Sequence, residues 1–71
     1  MNPRNVVRKE GLILETLPGA TFRVRFENDE LCLAHLSGKM RVHRIRLVPG
    51  DRVIVELASE NDRRGRIVYR K

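Results

Sequence analysis

The sequence predicts an all-β fold, a five-stranded barrel interrupted once by a short helix between the third and fourth strands. Three observations lead there: short runs rich in β-forming residues, turn dipeptides between them, and one stretch where strand alternation gives way to helical spacing. Seventy-one residues make one domain, expected to span 1–71 with residues 1–5 flexible.

The first strand is expected over 11–17, Gly-Leu-Ile-Leu-Glu-Thr-Leu, and Pro18-Gly19 ends it in a turn. Residues 21–27 then alternate cleanly, with Phe22, Val24 and Phe26 on one face and Arg23, Arg25 and Glu27 on the other. That pattern belongs to a strand with one wet face, and it assigns both phenylalanines to the core. Asn28-Asp29 provides a tight turn, and 30–36 forms the partner strand. From Ser37 to Arg44 the alternation breaks. Leu36, Met40, His43 and Leu47 fall at helical spacings, and Ser37 suits an N-cap. A helix this short is marginal alone, so it must pack on the barrel. Pro49-Gly50-Asp51 is a turn, 52–57 the fourth strand, 58–64 a polar loop and 65–70 the fifth strand. The last strand leaves Tyr69 undecided, because Ile67 and Val68 are both apolar. This element order is that of the OB-fold, whose closure removes exposed sheet edges. An SH3-like barrel is the competing architecture, but it usually carries more surface aromatics.

Charge is the strongest functional signal. The chain carries fifteen Lys and Arg against nine Asp and Glu, a net charge of +6, and twelve of the cations are Arg. The planar guanidinium fork matches phosphate oxygens bidentately and stacks on bases, so this bias favours nucleic acid. The distribution sharpens the point. Residues 37–48 hold Lys39, Arg41, Arg44 and Arg46 with no acid, and 63–71 hold Arg63, Arg64, Arg66, Arg70 and Lys71 with no acid. Outside those two blocks the acids outnumber the bases. If the blocks share a face, they form one cationic surface, which Arg23 and Arg25 on the wet face of the second strand would extend.

Other functions find little support. One cysteine, Cys32, allows no internal disulfide and fits a reducing compartment, so a cytoplasmic location is expected. No apolar run approaches the ~18 residues of a membrane span. Cys32 and His35 have a ligand-like spacing, but a structural zinc site needs four ligands, and residues three apart on a strand face opposite ways. Cys32 is therefore expected in the core and His35 at the strand–helix junction. No nucleophile–base set, isolated carboxylate pair or phosphate-cradling glycine loop is present, so neither an enzyme nor a cofactor is expected.

Taken together, Leu14-Glu15-Thr16-Leu17-Pro18, Phe22-Arg23-Val24, Glu27-Asn28, Ala34-His35, Ser37-Gly38-Lys39-Met40-Arg41, Ile45-Arg46, Gly50-Asp51, Val55-Glu56-Leu57 and Gly65-Arg66-Ile67 resemble bacterial translation initiation factor one. The resemblance runs without gaps from about Gly11 to Arg70. Its most specific part is Ser-Gly-Lys-Met-Arg followed by Ile-Arg. The chain departs from the family pattern at Val42-His43, at Arg44 and across 59–64.

The resemblance implies a non-catalytic OB-fold bound to the small ribosomal subunit through its ribosomal RNA. It would occupy the decoding (A) site, block premature tRNA entry and work with initiation factors two and three, as a monomer and with no membrane role. It also carries RNA contacts onto Lys39, Met40, Arg41, Arg46, Arg64 and Arg66, and the charge pattern adds Arg44 and Arg23. From packing alone, Met40 on a short helix is more often a core residue. A generic RNA chaperone or single-strand-binding barrel is the alternative, and a protein-interaction barrel a third. Poverty in aromatics argues against general single-strand binding and for recognition of a preformed RNA shape.

Overall fold

The computed structural model describes residues 6–71. The segment expected to be flexible, 1–5, lies outside the described residues. Five strands, β1 (Val7–Leu17), β2 (Thr21–Phe26), β3 (Leu31–Leu36), β4 (Arg52–Leu57) and β5 (Arg64–Arg70), close a barrel in the order β1-β2-β3-β5-β4, with α1 (Gly38–Val42) between β3 and β4. This is the five-stranded OB-type barrel that the sequence predicts. All neighbours are antiparallel except β3 and β5, whose parallel pairing completes the ring.

β1 starts four residues earlier than the sequence pattern indicates. The charged run Arg8-Lys9-Glu10 lies outside the expected strand, yet residues 7–12 pair with β4 while 11–17 pair with β2. One long strand thus serves both sides of the barrel and must bend between them. Gly11 sits at that bend, where a Cβ would lie 3.1 Å from Phe26 Cδ1 and 3.2 Å from the Arg25 carbonyl, and would collide with Val24. Only glycine lets the strand curve this closely over the core.

The inward residues form one core of Ile13, Phe22, Val24, Phe26, Cys32, Ala34, Val53, Val55, Leu57 and Ile67, capped by Met40 and Leu47. Both phenylalanines and Cys32 are buried as their alternation predicts.

The helix is shorter than its apolar spacing implies. Ser37 caps it as expected, its Oγ accepting a hydrogen bond from the Met40 N–H at 3.2 Å. His43 is the exposed C-cap instead of a core residue, and Leu47 reaches the core from the following loop. The termination has a clear cause: Arg44 adopts φ +53°, the left-handed region. The Arg44 N–H then donates to the Arg41 carbonyl at 3.1 Å and the Ile45 N–H to the Met40 carbonyl at 3.2 Å. That pair of hydrogen bonds makes a Schellman motif, with Arg where glycine is usual. Beyond it, the Gly50 N–H donates to the Ile13 carbonyl at 2.8 Å and the Ile13 N–H to the Asp51 carbonyl at 2.9 Å, tying the loop to β1.

Candidate nucleic-acid interface

Strand register places the cationic side chains in rows across the outer face. Arg23 on β2 pairs with Leu33 on β3, which pairs with Arg64 on β5. The next row runs Thr21, His35, Arg66, Glu56 and Arg8 across all five strands. Adjacent strands lie about 4.8 Å apart, so these cations are near neighbours. All of the arginines in both rows are exposed.

α1 joins this surface midway along β5. The Ser37 N–H donates to the Ile67 carbonyl at 3.0 Å, so the helix begins beside β5, three residues beyond Arg64. Lys39 and Arg41 are exposed on it, and Arg44 and Arg46 are exposed just after it. Arg70 Nη1 donates to the Arg46 carbonyl at 3.3 Å, tying this loop to the end of β5. Both acid-free blocks therefore lie along one strand of seven residues, a span of roughly 20 Å.

The sites named from sequence divide into three groups. Lys39, Arg41, Arg44, Arg46 and Arg64 have no carboxylate within salt-bridge distance among the described residues. Arg23 and Arg66 are engaged: Arg23 Nη1 lies 3.2 Å from Glu15, and Arg66 is bonded to Glu56, which Arg8 also reaches at 3.3 Å. Met40 is 5% exposed and belongs to the core, so its side chain seats the helix and is not at the surface where RNA would meet it. His35 corrects another expectation. It is exposed in the row beside Arg66 instead of packed at the strand–helix junction, because β3 alternates strictly, with Cys32 and Ala34 inward and His35 outward.

Two carboxylates are tuned by this arrangement. The hydrogen bond from Arg66, with help from Arg8, holds Glu56 below its ordinary pKa. On β1, Lys71 and then Arg52 lower that of Glu10. Burial raises that of the Cys32 thiol, and the nearby Asp62 charge adds to it. Cys32 faces the core and His35 the solvent, so the two do not converge on a ligand. Among the described residues, no three His, Cys, Asp or Glu side chains are grouped to hold a metal, and no helix is long and apolar enough to cross a membrane. Beside Arg64 and Arg66 the surface dips into a shallow, largely apolar depression of about 290 Å³ whose wall includes His35 and Leu57.

Known proteins share both this sequence pattern and this barrel. The model of the family described as translation initiation factor 1A / IF-1 matches residues 2–71. The solution structure of translation initiation factor one from the Wolbachia endosymbiont of Brugia malayi is 39% identical, with a TM-score of 0.77 over 96% of this chain and 80% of that one. YjeQ from Thermotoga maritima is 26% identical (TM-score 0.71), over 92% of this chain but 23% of its own. YloQ, a circularly permuted GTPase, is 23% identical (TM-score 0.73), over the whole of this chain and 25% of its own, a likeness of fold alone.

Proposed function

The chain belongs to the translation initiation factor 1A / IF-1 family, and from that premise we propose that it binds the small ribosomal subunit at the decoding A site. Contact is made through ribosomal RNA. A monomer acts there as a folded plug, blocking premature tRNA entry and assisting initiation factors two and three. The observation that supports this reading best is the convergence of both acid-free cationic stretches along β5.

The mechanism is electrostatic docking followed by steric exclusion. Lys39, Arg41, Arg44, Arg46 and Arg64 present unpaired charge to phosphates, and displaced counterions supply much of the binding free energy. Arg66 and Arg23 reach RNA while keeping or exchanging their carboxylate partners. Met40 contributes by fixing the helix that carries Lys39 and Arg41. No bond is made or broken.

The test combines footprinting with a double variant. Protection of small-subunit RNA should be confined to the decoding region. Affinity should fall with salt at a log–log slope of roughly −3 to −6, given about five to eight phosphate contacts. Arg41→Ala with Arg46→Ala should weaken binding by several kcal/mol, since charge-assisted hydrogen bonds are worth ~1.5–3 kcal/mol each. Undiminished binding by that folded double variant, or equal affinity for arbitrary RNA, would refute the assignment.

A further inference from the structure

Among the described residues Tyr69 is the one Phe, Tyr or Trp that is exposed, at 61%, whereas Phe22 and Phe26 are buried. Its outward position is produced by an irregularity in β5. Register along β4 and β5 runs Glu56 with Arg66 and Val55 with Ile67, then jumps to Ile54 with Tyr69, leaving Val68 without a partner. Strict alternation from Arg66 would turn Tyr69 inward. The extra residue resets the phase, so Tyr69 shares the outer face with Arg64 and Arg66. Bulges of this kind re-aim side chains and recur beside functional sites.

The surroundings identify what the ring could receive. Arg70, rephased by the same bulge into register with the buried Val53, reaches instead to the Arg46 carbonyl, which keeps the Arg44–Arg46 loop at this end of β5. α1 starts beside Ile67, two residues before the tyrosine. The ring therefore lies on the outer face one row beyond Arg66, in register with Ile54 and, across β4, with Glu10, whose carboxylate is paired with Lys71 and Arg52. Its cross-strand neighbour is the half-buried Ile54, which offers an edge for the ring to lean on.

We infer that Tyr69 is a stacking platform for a single unpaired RNA base, whose flanking phosphates are held by Arg66 and the arginine loop. This deepens the RNA-binding reading above and rests on it. Every base has a π-face, so the contact is tolerant of sequence, and it adds an aromatic component to what composition alone presents as recognition of shape.

The experiment exploits a simple fact: the chain has one Tyr and no Trp, so its intrinsic fluorescence and its tyrosine ring protons report on Tyr69 alone. Hexa-adenylate is titrated into the full chain, with an abasic ribose-phosphate of equal length as control. Quenching and upfield ring shifts are expected with the first and not the second. Small subunits should bind Tyr69→Ala about 10-fold more weakly and Tyr69→Phe about as well as wild type. The salt slope should not change, because no phosphate contact is lost.

Ring protons unmoved at saturation, or a folded Tyr69→Ala that binds subunits like wild type, would overturn the inference. So would a Tyr69→Ala chain that keeps its affinity for protein-free ribosomal RNA but loses intact subunits, since the ring would then serve a ribosomal protein. Tyr69→Leu guards against a folding artefact of the alanine. Failure of the wild-type chain to bind small subunits would instead strike the functional reading, leaving the hexa-adenylate result to stand by itself.

Discussion

Replacing Gly65 by alanine tests how closely β5 lies against β4. A Cβ there would be 2.6 Å from Leu57 Cδ2, 2.6 Å from Val55 Cγ1 and 2.9 Å from the Glu56 carbonyl oxygen. The two side chains are fully or almost fully buried and have no space to turn into, and the carbonyl belongs to the ladder itself. Overpacking of this kind costs about 1–3 kcal/mol, and the backbone contact places Gly65→Ala in the upper half of that range. A domain of this length has only about 4–10 kcal/mol of stability, so the loss is a large fraction. At roughly 4–8 °C per kcal/mol the thermal midpoint should drop by about 8–24 °C. Urea unfolding should show a lower midpoint with an unchanged slope, because the two end states keep their surface areas. Gly38→Ala is the internal control: its Cβ meets nothing within 4 Å, and it lies in α1. That variant should be neutral or stabilising by up to ~1 kcal/mol. Equal midpoints for Gly65→Ala and wild type would refute the close packing of β5. Because Gly65 lies between Arg64 and Arg66, the folded fraction of Gly65→Ala should also bind small subunits less tightly.

Arg44→Gly should separate stability from binding. Relieving the left-handed arginine should raise stability by about 0.5–1 kcal/mol, a net of removed strain and added unfolded-state entropy. The same change should reduce the salt slope by about 0.7–0.9, one phosphate contact, as measured by subunit binding at several salt concentrations. Glu56 makes a pH prediction. Its folded pKa is lowered below the ordinary 4.5, chiefly by the hydrogen bond from Arg66. The stabilisation is therefore fully present above the unfolded pKa and is lost as pH falls through the folded value. Urea midpoints from pH 7 down to 3 should fall less steeply in Glu56→Gln than in wild type, and parallel curves would show that the pair contributes nothing.

Much of the barrel is written in local patterns. Phe22, Val24 and Phe26 alternate because β2 has one wet face, and Ser37 announces the helix start through its side-chain oxygen. What stays hidden is whatever depends on a distant partner. Nothing near Gly11 reveals that β1 must serve two neighbours, so its first four residues look like a loop. The helix end is set by the backbone angle of Arg44, a residue type that rarely adopts it. Tyr69 is ambiguous for the same reason: Ile67-Val68 only makes sense once the register with β4 shows which residue is left over. The candidate interface divides similarly. Its charge blocks are visible as composition, while the ion pairs that occupy Arg23 and Arg66 follow from which strands happen to be adjacent.

The parallel pairing of β3 with β5 has a consequence for biosynthesis. Ribosomes deliver the strands in order, so β3 must wait, one edge open, while about thirty further residues emerge before its final neighbour arrives. Long-range closure of this sort is entropically slow. Leu33 and His35 gain Arg64 and Arg66 as companions only at that last moment, so the rows that hold Arg23, Arg64 and Arg66 are assembled only once β5 is in place.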